Sequence, residues 1–338
     1  MKQIIYERFG PPSVVAQCQE VADPTSPSAW EVMVSIDSFP INPADLAMIR
    51  GQYGVLNQPP ATIGMEAVGT VVEVGRSVSH LEVGNRVLLL ANNNWATLRK
   101  VPASLTVKVP DDLDPLQLSM LKVSGMTAHW LTSQIEPIRD GELVVQNAPL
   151  SAVGRYVIQL AKARGFRTVN LVRRPEQIAE TERLGGDINL LDEDGVDERL
   201  RSELNGQAIK LGLDAVAGES TDRIAACLAD GGMIVNYGML SVEPCRLNPM
   251  HTIFRNIQLT GFWLSKILNR LSAQERQSHI LELVDLLASQ KLHSDVDSVF
   301  SIDEISNAIT RAEQPGRSGK VFISTNPADR TSPSEHIE

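Results

Sequence analysis

The stretch Val144 to Gly154, VVQNAPLSAVG, passes from a run of strand character into small residues, and Val153, Val157, Leu160 and Ala161 then recur at helical spacing until Gly165. A buried strand that turns directly into a helix exposes unpaired N–H groups at the positive end of the helix dipole, which suits a pyrophosphate. The loop is poor in glycine: only Gly154 is present, with Ser151 and Ala152 at positions usually small or glycine. Taken alone, it reads equally well as a plain strand-to-helix turn. The next strand, RTVNLV, tilts the reading toward the nucleotide, because Arg173 and Arg174 follow it about 20 residues on, where a dinucleotide fold places its ribose-reading residue. Two guanidiniums there, with no acid expected to compete, suit the extra phosphate of NADPH; the bland alternative is a solvated basic pair at a helix start.

Outward from this unit the pattern repeats. PEQIAETERLGG reads as a helix opened by Pro175, and GDINLL, LGLDAVAG, GGMIVNYG and NIQLTGFWL follow as strands with helices between them. Such alternation predicts an α/β doubly wound parallel sheet. Before about Leu113 the chain is instead strand-rich and broken by turns: EVMVSIDSF alternates, GTVVEVG follows, and NRVLLL comes after a Val-Gly-Asn turn, predicting a compact β-barrel-like domain. After the long amphipathic stretch SAQERQSHILELVDLLASQKL, the chain is expected to return to that first domain through SVFSIDEISNAITRAEQ and KVFIST. The predicted domains are 1–118 with 266–326, and 119–265, with 327–338 as a polar, flexible tail.

Composition narrows the function. The 338 residues are 43% hydrophobic and 21% charged, which describes an ordinary globular protein of two domains. Thirty-one basic against 41 acidic residues, a net charge of -10, argue against a nucleic-acid partner. No apolar run approaches membrane-spanning length. The three cysteines, Cys18, Cys227 and Cys245, are too few and too scattered for a disulfide framework. The start MKQIIYERFG runs into strand-like sequence without the pattern of a signal or transit peptide. Cysteine usage and chain start together suggest a cytoplasmic location.

FPINPADLAMIRGQYG, IGMEAVGTVVEVG, VVQNAPLSAVGRYVIQLAKARG, NYGML and LTGFWLSK together resemble the medium-chain dehydrogenase/reductase superfamily, and within it the 2-enoyl thioester reductases, also called trans-2-enoyl-CoA reductases. The resemblance runs from residue 1 to about 324. It implies a Rossmann sheet beside a GroES-like catalytic domain. It also implies NADPH as cofactor, with the pyrophosphate at Leu150, Ser151, Ala152, Val153 and Gly154, and the nicotinamide cradled by Tyr237, Gly238, Met239 and Leu240. Phe262, Trp263 and Leu264 would lie beside the cofactor, the Trp263 indole facing substrate, and Lys320 would be a late cofactor-binding lysine. Ser124 falls where relatives commonly have asparagine. Asn42 would contact substrate. Tyr53, in GQYG, matches the family's catalytic tyrosine; a phenol, with a reference pKa of about 10, is protonated at neutral pH and can donate to the thioester oxygen as it becomes anionic. Read as residues alone, Tyr53 could be a loop anchor, Trp263 a core tryptophan and Lys320 a solvated strand-edge residue.

Zinc alcohol dehydrogenases of the superfamily have Gly-His-Glu where this chain has Gly64-Met65-Glu66. A thioether is a poor zinc ligand beside an imidazole, so no metal is expected, with Met65 packing and Glu66 a hydrogen-bonded scaffold carboxylate. The resemblance implies reduction of the C2=C3 bond of an enoyl thioester carried on CoA or acyl carrier protein, by a homodimer joined near Ile257 to Thr260. Two alternatives stand beside it: an NADPH-dependent quinone or small-enone reductase, and a nucleotide-bound protein without turnover that binds RNA or senses redox state.

Overall fold

A computed structural model describes residues 1–326; the predicted tail, 327–338, lies outside the described residues. The chain forms two units. One comprises Met1–Val123 and the described residues from Ser272 onward, and the other Ser124–Leu271. The crossings thus fall at 123/124 and 271/272, a few residues after the 118/119 and 265/266 read from the sequence.

The first unit carries strands β1 (Lys2–Tyr6), β2 (Ala16–Glu20), β3 (Glu31–Pro40), β4 (Ala61–Thr62), β5 (Ala67–Val74), β6 (Arg86–Leu89), β7 (Leu98–Pro102) and β8 (Thr106–Lys108). The second supplies β9 (Leu143–Asn147), β10 (Arg167–Val172), β11 (Ile188–Leu191), β12 (Ile209–Asp214), β13 (Met233–Asn236) and β14 (Gln258–Gly261). β15 (Val296–Phe300) and β16 (Lys320–Ser324) return to the first.

In the first unit β3 is the organising strand. Its first half pairs β7, its last three residues pair β16, and β5 lies along most of its length, giving a seven-stranded sheet with a separate three-stranded sheet β2-β1-β4. Phe39 on β3 stacks on Trp95 with ring centroids 5.7 Å apart, and Tyr6, Ile36, Ile63 and Leu89 are buried with them. Each such side chain removed from water contributes roughly 1.5–3 kcal/mol. The return through β15, the helix Ile305–Glu313 and β16 completes this core, since Ile305, Ile309, Val321 and Ile323 belong to it.

In the second unit all six strands are parallel, in the order β11-β10-β9-β12-β13-β14. That is the doubly wound order, and its direction of winding reverses between β9 and β12, where such sheets bind ligands at the carboxyl ends of the strands. β9 is buried at every position, as a central parallel strand covered on both faces requires. The sheet's edge is less protected: all four residues of β14 are exposed, and the preceding helix Pro249–Arg255 leaves Met250, Ile253 and Phe254 in solvent.

Candidate active site

In the second unit, four strand ends meet at the switch point. Ser151 caps the helix Ala152–Arg164, its hydroxyl accepting from Gly154 N at 3.1 Å, while the N–H groups of Ala152 and Val153 in the first turn have no acceptor within the helix. Gly154 is required by proximity: a Cβ there would stand 2.6 Å from the Ala148 carbonyl oxygen. Ala148 itself adopts a left-handed φ of 47°, doing without glycine what fingerprints usually assign to it. The loop therefore has the close backbone approach and the free N–H groups that a pyrophosphate needs, despite its composition.

The loops after β12, β13 and β14 are tied to this one by a carboxylate the sequence reading passed over. Asp214, fully buried at the end of β12, accepts from Asn147 Nδ2 at 2.7 Å, Val216 N at 3.0 Å, Ala217 N at 2.9 Å, Thr221 Oγ1 at 2.7 Å and Asn236 Nδ2 at 3.1 Å. Asn236 also donates to the Gly238 carbonyl, and Phe262 N donates to the Asn236 carbonyl. Polar residues closing three adjacent strands, Asn147, Asp214 and Asn236, were the available signal. The Tyr237 hydroxyl is buried beside Ser151 without full hydrogen-bond geometry; burial pushes its pKa up, so it remains a neutral phenol. Met239 and Leu240 are exposed, and Trp263 is 37% exposed, so the indole is not a core side chain within its unit. Ser124 is buried, in the π-helical turn Leu121–Gly125.

Arg173 and Arg174 follow β10 as expected, but an acid does compete. Glu176, two residues on, lies 2.7 Å from Arg174 Nε as an ion contact. Arg173 is exposed and makes no ion pair or hydrogen bond among the described residues.

In the first unit, Asn42 and Lys320 come together with Glu66. Asn42 Nδ2 donates to Glu66 Oε1 at 2.8 Å, and Lys320 Nζ donates to Asn42 Oδ1. The other Glu66 oxygen accepts from Val123 N at 2.7 Å. Asp45 Oδ1 accepts from Met65 N at 3.0 Å and Oδ2 from Asn42 N at 3.1 Å. Lys122, whose ammonium donates to the carbonyls of Met65 and Ala91 and to Asn92 Oδ1, completes a buried set of two carboxylates and two ammoniums. Burial raises the Asp45 carboxyl to about 6 and raises Glu66 as well, while it lowers both lysines, each pair opposing the other's shift by its charge. Lys122 was missed, although a lysine inside the apolar run LSMLKVSGM was a visible oddity. Lys320, assigned to the nucleotide by resemblance, has its ammonium in this carboxylate cluster rather than on a solvated strand edge. Glu66 is the hydrogen-bonded scaffold carboxylate expected, and Met65 is buried beside it. The donor set does not suit zinc: one position is a thioether and the carboxylate is already held by Asn42 and Val123.

Tyr53 is half-buried, on the loop that follows the helix Pro43–Ile49. The loop is fastened at both ends, by Gln52 N donating to the Ala47 carbonyl at 2.8 Å and by the Tyr6 hydroxyl donating to the Asn57 carbonyl at 3.1 Å.

Comparison with known proteins bears on the fold and the family of the chain. A family described as zinc-binding dehydrogenase matches residues 152–285, a segment that does not include Met65 or Glu66. The alcohol dehydrogenase GroES-like domain matches 28–111. A mitochondrial enoyl-[acyl-carrier-protein] reductase from Dictyostelium discoideum is 32% identical over 93% of this chain and 92% of its own length. Among solved structures, the Etr1p/NADP/crotonyl-CoA complex superposes with a TM-score of 0.84 at 24% identity, over 96% of this chain and 99% of that one. Escherichia coli quinone oxidoreductase complexed with NADPH gives 0.87 at 23%, over 96% and 100%. Enoyl reductases from Homo sapiens and Arabidopsis thaliana at 31% and 30% identity are likewise named mitochondrial, which overturns the expectation of a cytoplasmic protein. Three unpaired thiols fit any reducing compartment and do not distinguish one from another.

Proposed function

The chain belongs to the medium-chain dehydrogenase/reductase superfamily, with enoyl-[acyl-carrier-protein] reductases among its relatives, and on that premise we propose that it reduces the C2=C3 bond of 2-enoyl thioesters with NADPH. The observation that carries the reading is the match to an enoyl reductase along almost the whole chain; the fastened tyrosine loop of the first unit and the dinucleotide switch point of the second each support it separately.

The nucleotide would be held by the N–H groups of Ala152 and Val153, by Arg173 at the 2′-phosphate and by the Tyr237 to Leu240 loop; when bound it supplies a hydride to the β-carbon. The Tyr53 hydroxyl donates a hydrogen bond to the thioester oxygen, where the displaced electron pair collects, and helps bring a proton to the α-carbon. Trp263 lies against the acyl group. The acyl carrier, CoA or a carrier protein, presents the same thioester to these residues. A homodimer joined at β14 is part of the proposal, supported by that strand's exposure and by the apolar side chains of the helix before it.

Quinone reduction on the same fold is the rival. NADPH oxidation measured against a trans-2-enoyl-CoA and against a quinone separates the two. The proposal expects the enoyl thioester to be turned over with the higher kcat/KM; a preference for the quinone overturns it.

A further inference from the structure

The buried charge cluster of the first unit grips one end of the helix Pro43–Ile49, and the loop that leaves its other end carries Tyr53. Three bonds converge on the helix N-terminus: Glu66 and Lys320 take the two ends of the Asn42 amide, and Asp45, in the first turn, holds Met65 N. Asn42 is the residue immediately before the helix Pro43–Ile49, and its own N–H is held by Asp45 across that first turn. At the far end the chain has little freedom before Tyr53. Gly51 turns it with φ of 76°, packed so that a Cβ would lie 3.1 Å from the Phe9 ring, and Gln52 bonds back to Ala47. Seven helical residues and a turn closed by the bond between Gln52 and Ala47 are all that separate Asn42 from Tyr53.

Resting on the reading of Tyr53 given above, we infer that Glu66 is a positioning residue for Tyr53, acting through Asn42 and the helix Pro43–Ile49, with Lys320 holding the same amide from its carbonyl side. Glutamate is needed because two donors converge on it, Asn42 Nδ2 on one oxygen and Val123 N on the other. Glutamine offers one acceptor oxygen, so Glu66→Gln must release one of them. Lys320 neutralises the carboxylate while fixing the amide's orientation: with its oxygen on the ammonium, the Asn42 nitrogen can only face Glu66.

The test is a double-mutant cycle on the full chain with NADPH and a trans-2-enoyl-CoA, accompanied by hydrogen exchange of the peptide spanning 50–57. Glu66→Gln is expected to lower kcat about tenfold, the scale of one charged hydrogen bond, with the KM for NADPH unchanged and exchange of that peptide accelerated. In a Tyr53→Phe background the same substitution is expected to cost no further rate, because the group it positions has gone. Additive losses, or exchange at the wild-type rate, overturn the inference. A wild-type rate for Tyr53→Phe alone, with exchange still accelerated by Glu66→Gln, removes the catalytic reading of the phenol and leaves the positioning standing. Lys320→Met carries the same expectations and substitutes for Glu66→Gln if the latter does not melt cooperatively.

Discussion

Arg173 and Arg174 are adjacent in sequence and unequal in structure. Arg174 faces Glu176, whereas Arg173 is exposed with no partner among the described residues. A doubly charged phosphate therefore meets one guanidinium at full strength and one already engaged. Arg173→Ala is predicted to raise the KM for NADPH by about tenfold or more while leaving NADH unchanged, and Arg174→Ala to have the smaller effect. Steady-state kinetics with both nucleotides checks this, and equal losses for NADPH and NADH would remove the phosphate assignment. At this scale the sequence told which residue types were present and misjudged their company. Glu176 is plain in the sequence, yet that its carboxylate turns back onto Arg174 depends on the first turn of the helix Glu176–Leu184. Lys320 is similar. Its place at the start of β16 was legible, but that an ammonium would be buried there follows only from Asn42, Glu66 and Asp45 arriving from elsewhere in the chain.

Strands and helices were easier to read, because their signals are local. ELVVQN, RTVNLV, GGMIVNYG and the long amphipathic helix became β9, β10, β13 and Ala273–Ala288, and Ser272 with Glu275 supplies a capping box at the start of that helix. β2 and β8 were not singled out: AQCQE and TVK are short and half polar, and only pairing with β1 and β6 makes them strands. The exposed edge β14 has its own consequence. Its unpaired backbone, beside Ile253 and Phe254 of the preceding helix, is an unfavourable surface to leave in water. Mass measurement in solution is predicted to give a dimer for the wild type and a monomer for a variant with Leu259→Lys and Phe254→Asp. A wild-type monomer at micromolar concentration would contradict the proposed interface.

At the scale of the molecule, the division into two units and the return of the last segment to the first were legible, since a change from alternating to helical periodicity marks one crossing and the amphipathic helix the other. The exact crossings were not, because Leu121–Gly125 is a π-helical turn with no sequence signature. The chemistry assigned to the whole depends on a phenol in the first unit performing what a metal performs elsewhere in the superfamily. The rate of NADPH oxidation by a trans-2-enoyl-CoA, measured with and without a strong chelator for the wild type and for Tyr53→Phe, tests that claim most directly. Unchanged wild-type activity under chelation and a loss of about 10²-fold in kcat for Tyr53→Phe are predicted; activity that disappears with the chelator, or survives intact in Tyr53→Phe, would contradict it.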